Sequence, residues 1–186
     1  MTGRATTVAE EAAAYGLGLF QGQVRLRESD PRWGEAFSRL ADALGMALGA
    51  KAVSIEHVGS TSVPGLCAKP ILDMAVALAS DAVTEDVVAA LEPLGYVYRG
   101  DKGDDGGLLF VLEDRPGRRV AHVHAVQKGD GQWDRWLIFR DLLRNDARAR
   151  ADYDRLKREL AARHPRDRRA YTLDKTSFVT SRDSSA

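Results

Sequence analysis

The fold is decided by the stretch Ile55-Glu56-His57-Val58-Gly59-Ser60-Thr61-Ser62-Val63-Pro64-Gly65-Leu66. Residues 53–58 are typical of a β-strand that stops at Gly59, where the backbone is free to turn sharply. Three hydroxyl side chains follow, on Ser60, Thr61 and Ser62, beside exposed backbone N–H groups. Such a turn can hold a phosphate, because its N–H groups converge on the anion and the glycine has no Cβ in the way.

The next apolar run carries a single charge. Residues 71–78 are nearly all apolar, which predicts a central strand covered on both faces, and Asp73 is the only charged residue among them. An isolated buried carboxylate is costly, so Asp73 needs a metal ion, a bound cationic group or a place at the strand edge that faces a site. The alternative is that Asp73 caps local backbone N–H groups.

The remaining pattern predicts one mixed α/β (α+β) domain. A helix with an apolar face follows Asp30 and Pro31 and ends near Gly49. Further predicted elements are a helix at residues 84–91, strands at residues 96–99, 107–113 and 119–127 with polar turns at 100–106 and 114–118, and helices from Trp133 onward. We therefore expect a mixed sheet of about five strands with flanking helices and a helical C-terminal region.

The domain boundaries follow from the same pattern. Residues 1–22 are rich in Ala and Gly and are predicted to be a flexible extension with a short helix near residues 8–15. Residues 24–27 alternate apolar and charged side chains, as a short edge strand would. We expect a single domain over residues 23–180 and a tail over residues 181–186.

The composition is that of a globular protein without net charge. Of the 186 residues, 44% are hydrophobic, and 27 Lys and Arg balance 27 Asp and Glu. A chain with no basic surplus is not expected to bind nucleic acid by broad electrostatics. The lone Cys67, the lack of an apolar run of about 20 residues and the N-terminus without an apolar signal region predict a cytoplasmic protein with no membrane partner.

Two histidines suggest a metal site. His122 and His124 alternate on one predicted strand, so both rings project to the same face, and with Asp73 they could form a site of two imidazoles and one carboxylate. Imidazole ligands favour Mn, Fe or Zn over Mg. The alternative is one packed and one hydrogen-bonded histidine. His57, next to the turn, could act as a base or orient a phosphate, or be a strand-end side chain bonded to backbone.

Several other residues allow two interpretations. Lys69 lies between the turn and Asp73 and could meet a phosphate as a point charge, or be a solvated loop lysine. Cys67 could be a nucleophile near His57, although a lone cysteine more often packs as a small apolar residue. Trp133 and Trp136 are predicted to lie in the core rather than to form a stacking platform.

The chain resembles the GrpB family. The resemblance rests on Gly59-Ser60-Thr61-Ser62-Val63-Pro64-Gly65-Leu66 with Lys69-Pro70-Ile71-Leu72-Asp73, on Trp133 with Phe139-Arg140-Asp141-Leu142-Leu143-Arg144, on Tyr153, Leu156 and Lys157, and on Ala170-Tyr171-Thr172 with Lys175-Thr176. It covers roughly residues 24–179. That family is placed among nucleotidyltransferase-fold proteins, related to the DNA polymerase β-like superfamily.

The resemblance implies an enzyme that binds a nucleoside triphosphate and a divalent metal, Mg or Mn, and transfers a nucleotidyl group to a small molecule or nucleotide. It implies phosphate binding at the turn of residues 59–62, an anion pocket lined by Arg140 and Lys175, and Asp73 as the first catalytic acid. Lys69 would add a point charge to that pocket, and His57 would be the base, on the grounds given above. Such enzymes usually carry two acids that alternate on one strand, and here position 75 is alanine. Glu56 or Glu113 could supply the second carboxylate, or Zn or Fe could bind the histidines. A non-catalytic phosphate-binding module is the remaining alternative.

Overall fold

A computed structural model describes residues 6–103 and 107–183 of the chain. The described helices are α1 (Val8–Ala14), α2 (Arg32–Leu48), α3 (Thr84–Leu91), α4 (Gly131–Asn145), α5 (Ala147–Arg163) and α6 (Arg168–Asp183). The strands are β1 (Leu19–Phe20), β2 (Ala52–Val58), β3 (Leu72–Leu78), β4 (Tyr96–Asp101), β5 (Leu108–Arg115) and β6 (Arg118–Gln127). Part of the predicted turn at residues 100–106 and the last three residues of the predicted tail lie outside the described residues.

The strands form one mixed sheet in the order β2-β3-β6-β5-β4, with the two-residue β1 paired to β6. Strands β3 and β6 run parallel, and the other pairs are antiparallel. This confirms the predicted fold class, with β1 added to the five expected strands. The edge strand predicted at residues 24–27 is absent there, since that segment makes only an isolated bridge between Arg27 and Ala68.

One face of the sheet carries the main hydrophobic core. Helix α2 packs on it with an apolar stripe, because its large apolar residues recur at helical spacing. The stripe consists of Trp33, Leu40, Leu44 and Leu48, and it belongs to the same buried cluster as Leu72, Met74, Val76 and Leu78 of β3 and Ala121, Val123 and Ala125 of β6. Burying each leucine contributes about 1.5–3 kcal/mol. The side chains that alternate with these residues on β3 and β6 therefore project from the opposite face.

The opposite face and the loop before β3 are partly covered by the C-terminal helices. A second apolar cluster joins Val63 and Leu66 of that loop to Leu143, Ala149 and Tyr153 of α4 and α5. Helix α4 also contacts β2 and β3. These helices therefore hold the loop at residues 59–70 against the end of the sheet.

The N-terminal segment differs from the flexible extension that the sequence predicted. Thr7 is the N-cap of helix α1, and its side chain forms a capping box with Glu10. Ala9, Ala12 and Leu17 are buried in the main core. The small alanines let the helix approach the sheet closely. Because alanine is only weakly hydrophobic, the sequence did not indicate that this helix packs on the core. At the other end, α6 runs to Asp183, past the predicted domain end.

Within the described residues, no helix combines the length and apolar character that crossing a bilayer requires.

Candidate functional site

The pairing of β3 with β6 brings together Asp73, His122 and His124. Asp73 lies opposite His122, and Ala75 lies opposite His124, so all these side chains share the face away from the main core. The Nδ1 atom of His122 is 3.0 Å from Asp73 Oδ1, and the Nε2 atom of His124 is 3.9 Å from it. The three residues that the sequence proposed as metal ligands thus form one cluster.

The spacing of this cluster fits a metal ion. One ligand atom from each residue lies within 4.8 Å of the other two. Ligands at about 2.0–2.2 Å from a metal are separated from each other by about 3.0–3.5 Å, so small side-chain shifts suffice for all three to reach one ion. The Nε2 atom of His122 is buried and has no hydrogen-bond partner among the described residues. Among the described residues, no protein group therefore satisfies this second ring nitrogen.

Asp73 is held as an anion. Burial opposes ionisation, but the hydrogen bond from His122 and the charges of His122, His124 and Lys69 hold the pKa of the Asp73 carboxyl well below its usual range. A third of its side chain remains exposed, at 35%. The carboxylate is thus charged and accessible, as a cation ligand must be.

The predicted phosphate turn directly adjoins this carboxylate. Gly59 has a φ of 68°, a backbone conformation that favours glycine. A Cβ at Gly59 would lie 2.6 Å from Asp73 Oδ2, closer than atoms can approach. The chain at the end of β2 therefore passes against Asp73 only because residue 59 has no side chain.

Only part of the turn is available to a ligand. The Thr61 hydroxyl lies 3.0 Å from His57 Nε2, and the Ser62 hydroxyl donates to the Gly59 carbonyl at 2.6 Å. The Ser60 hydroxyl has no hydrogen-bond partner among the described residues, and Ser60 is partly exposed. Gly59 and Ser60 thus remain candidates for phosphate contacts, whereas the side chains of Thr61 and Ser62 stabilise the turn.

His57 lies on the other face of the sheet. It pairs with the buried Met74, and its ring stacks on Phe37 of α2 with 4.8 Å between centroids. Burial lowers the pKa of His57 to about 4, with Asp73 opposing this shift and Arg144 and Arg140 adding to it. The structure does not bring this ring to the Asp73 face, so its visible role is to hold Thr61.

Arg140 is occupied by protein groups. It donates to Glu56 Oε2 at 2.7 Å, to the His57 carbonyl at 3.2 Å and to Asp141 at 2.8 Å, and its side chain is only 10% exposed. The neighbouring Arg144 donates twice to the Ser62 carbonyl, at 3.0 and 2.9 Å. These arginines join α4 to the end of β2 and to the turn. Arg140 was predicted to line an anion pocket, but its guanidinium group is already bonded to protein groups.

The two candidates for a second carboxylate lie in different places. Glu56 pairs with Ala75, so it shares the face of Asp73 and stands beside the position of the missing acid. Glu113 instead accepts from the Gly117 N–H at 2.8 Å and lies near Arg119. Glu56 is the nearer candidate, although Arg140 holds it.

The two predicted phosphate-binding lysines lie in one region. The Nζ atom of Lys69 is 5.2 Å from the centre of the Tyr171 ring. Burial lowers the pKa of Lys69 to about 7, the charges of Lys175 and Arg168 lower it further, and Asp73 opposes them. Within the described residues, no carboxylate lies within ion-pair distance of Lys69. The charge of Lys69 is thus favoured by Asp73 and opposed by the neighbouring cations.

Two other sequence interpretations change. Trp133 and Trp136 belong to none of the described core clusters, and the Trp136 ring lies 5.6 Å from His124, so the core prediction for them is wrong. The helical spacing of the two tryptophans did not show whether their rings face the core or the candidate site. Cys67 is fully buried, and burial together with the Asp154 carboxylate raises the pKa of its thiol to about 12. That thiol is no nucleophile at neutral pH.

The fold is shared with a solved structure of low sequence identity. The chain is similar to the crystal structure of the Cid1 poly(U) polymerase, with a TM-score of 0.52 and 12% identity over 73% of this chain and 44% of that one. At this identity the likeness shows that the two chains share a fold and nothing further.

The comparisons also show the family. The model described as GrpB protein matches residues 23–184, so this chain belongs to the GrpB family. A UPF0157 protein of Halalkalibacterium halodurans is 40% identical over 156 residues, which are 84% of this chain and 78% of that protein. The crystal structure of the conserved protein GrpB from Enterococcus faecalis has a TM-score of 0.71 and 32% identity, over 84% of this chain and 98% of that one.

Proposed function

We propose that this protein is a metal-dependent enzyme of the nucleotidyltransferase type. It would bind a nucleoside triphosphate and a divalent metal and transfer a nucleotidyl group to a small molecule or nucleotide. The observation that carries the proposal is the cluster of Asp73, His122 and His124, which adjoins the Gly59 turn. The Cid1 poly(U) polymerase, described with bound MgGTP, has a similar fold and makes a nucleotide the first ligand to test.

The proposed metal would be held by Asp73, His122 and His124. Two imidazoles favour Mn, Zn or Fe, whereas Mg would rely on the carboxylate. A bound ion would polarise a phosphoryl oxygen and neutralise charge that develops during transfer. Nucleotidyltransferases usually hold the metal with two acids that alternate on one strand, and Ala75 stands where the second acid would be. His124 would take the place of that acid, since it lies opposite Ala75 in the neighbouring strand.

The protein groups would bind and orient the triphosphate. The turn offers the Ser60 hydroxyl, and Lys69 and Lys175 offer positive charge. In the proposed transfer, an acceptor hydroxyl oxygen forms a bond to the α-phosphorus and loses its proton to solvent, while the bond from that phosphorus to pyrophosphate breaks. His57, Thr61, Ser62 and Arg140 would act as positioning residues that fix the turn.

Metal binding is the first test. Titration of the purified, metal-free protein with Mn²⁺ or Zn²⁺ in a calorimeter should show one site, weakened by about 100-fold or more in Asp73→Asn and in His124→Gln. His164→Gln is the matched control, since His164 bonds Asp174 far along the chain and lies outside the cluster. Absence of binding at millimolar metal, or equal binding by all variants, would refute the metal site.

Turnover is the second test. Incubation with each nucleoside triphosphate and Mn²⁺ should release pyrophosphate when an acceptor is present, and Asp73→Asn should abolish this release. The alternative function is a binding module without chemistry, which is favoured by Ala75 and by the bond that holds Glu56 to Arg140. Nucleotide binding without pyrophosphate release from any acceptor mixture would select that alternative.

A further inference from the structure

An aromatic side chain that the proposed function does not use stands beside the metal ligands. The ring centre of Trp136 on α4 lies 5.6 Å from that of His124, and the two ring planes are tilted by 57°. Trp136 is partly exposed and belongs to none of the described core clusters. A large aromatic ring that reaches solvent next to polar site residues is typical of a ligand-binding surface.

Helix α4 places this ring away from the turn. Arg144 donates to the Ser62 carbonyl, and Arg140 donates to the His57 carbonyl. Residues four apart lie on nearly the same side of a helix, so Trp136 shares the side of α4 that carries these two arginines. With a rise of about 1.5 Å per residue, Trp136 lies about 12 Å from Arg144 along the helix axis. The turn and the indole ring are thus at opposite ends of this side of α4.

The metal ligands lie between these two ends. At one end, the backbone of Gly59 lies against the Asp73 carboxylate. At the other end, the indole ring adjoins His124, which is two residues farther along β6 than His122, the partner of Asp73. The order along the site is therefore the turn, the metal ligands and the aromatic ring. A nucleoside triphosphate has a matching order, with anionic phosphates at one end and a planar base at the other.

The sheet beside His124 offers an apolar surface. Leu109 of β5 pairs with His124 and is partly exposed. Val97 of β4 pairs with Val111, which projects to the same face as Leu109, and Val97 is 47% exposed. Helix α4 contacts β2 and β3, which lie on the other side of β6. A planar group can therefore approach the indole ring from the side of β5.

We propose that the indole ring of Trp136 is the platform on which the base of the nucleotide stacks, with Leu109 beside it. Stacking on an aromatic side chain holds a base without hydrogen bonds to its edges, because every base has a π-face. Trp136 thus fixes the base while the turn fixes the phosphates. This role of Trp136 rests on the proposed function, because the ligand is taken to be a nucleotide, but it does not depend on turnover.

Comparison of ATP with inorganic tripolyphosphate separates the base from the phosphates. In calorimetric titrations with Mn²⁺ present, Trp136→Leu should weaken ATP binding by about fivefold or more, the loss expected when a stacked base loses its aromatic platform. Tripolyphosphate has no base, so its affinity should be unchanged. Trp136→Phe keeps an aromatic ring and should retain most of the ATP affinity. Ile138→Ala is the matched control, because Ile138 is exposed and lies about 200° around α4 from Trp136.

Tryptophan emission reports the stacking contact directly. ATP should quench the emission of the wild type, whereas tripolyphosphate should not. The quenching should be lost in Trp136→Phe, although Trp33 and Trp133 remain in that variant. Circular dichroism should show that every variant is folded, and if Trp136→Leu is not, the emission of Trp136→Phe still tests the contact.

Three results would overturn the proposal. They are no ATP binding by the folded wild type, unchanged ATP affinity in Trp136→Leu, or equal weakening of ATP and tripolyphosphate, which would mean that Trp136 only holds His124 in place. Pyrophosphate release with unchanged ATP affinity in Trp136→Leu would keep the enzyme and reject the stacking. Selective loss of ATP affinity in that variant, without pyrophosphate release from any acceptor, would keep the stacking and reject the enzyme.

Discussion

The backbone of Gly59 lies against the carboxylate of Asp73. A Cβ at residue 59 would be 2.6 Å from Asp73 Oδ2 and 3.0 Å from Asp73 Cβ. The turn and the acid are therefore one structural unit, and a change in the turn must displace the carboxylate.

The first prediction concerns Gly59→Ala. The positive φ of 68° and the clash with Asp73 should destabilise the protein by about 1–3 kcal/mol. The displaced carboxylate should also weaken Mn²⁺ binding. Urea unfolding and calorimetry measure the two effects. Gly65→Ala is the control, because Gly65 has a φ of 78° in the same loop but nothing within 4 Å of its Cβ position. Equal metal affinity in both variants would contradict the link between the turn and Asp73.

The second prediction concerns acid stability. Burial lowers the pKa of His57 to about 4 from a usual value of 6.5, so between these values the unfolded state binds a proton that the folded state does not. The free energy of unfolding should then fall as the pH falls from about 6.5 to 4, by about 3 kcal/mol from this residue. This stability is fully present above pH 6.5.

A comparison with His57→Phe isolates that contribution. The variant keeps a ring against Phe37 but cannot take up the proton, so its unfolding free energy should depend less on pH in the same window. Identical slopes for the wild type and His57→Phe, measured by urea unfolding at several pH values, would show that His57 is not the titrating group.

The third prediction concerns Arg140. Replacing it with methionine removes the bonds to Glu56, Asp141 and the His57 carbonyl, and should cost about 2–4 kcal/mol. Lysine should not restore this stability, because a single ammonium group cannot reproduce the guanidinium fork. Thermal unfolding measures the change, and Arg148→Met serves as the exposed control at the start of α5. A stable Arg140→Met variant with lost nucleotide affinity would instead favour a direct role in anion binding.

The fourth prediction concerns Lys157. This lysine is 1% exposed, lies over the Tyr153 ring and donates to the Cys67 carbonyl. Burial lowers its pKa to about 8 from 10.5, so the folded state loses this proton at lower pH than the unfolded state. The wild type should therefore gain stability relative to Lys157→Met as the pH rises from about 8 to 10.5. Lys128→Met, at an exposed position, should show no such trend in chemical unfolding across that range.

The sequence predicted the parts of the site that depend on local periodicity. The alternation of His122 with His124 and the apolar run around Asp73 place these side chains on defined faces, because strand residues alternate with a period of two. The parallel pairing of their strands then completes the cluster. Strands β2 to β6 and the C-terminal helices were predicted for the same reason, whereas the two-residue β1 was not.

Contacts between distant segments could not be predicted in this way. Nothing in the sequence indicated that Arg140 would meet Glu56, which is 84 residues away, or that His57 of β2 would stack on Phe37 of α2. Lys69, Arg119 and Arg168 likewise come close together from three separate segments. The N-terminal helix was underestimated because alanines bury little apolar area, although they allow close packing.

The parallel pairing of β3 and β6 has a consequence for folding. Asp73 and His122 are 49 residues apart in the chain and are neighbours only in the correct register. A slip of one residue would turn both imidazoles into the main core and place alanine or valine beside Asp73. Such a mispaired sheet would bury polar rings without partners. The site residues therefore discriminate against misfolded registers, and an ion bound across the two strands would stabilise the native pairing selectively.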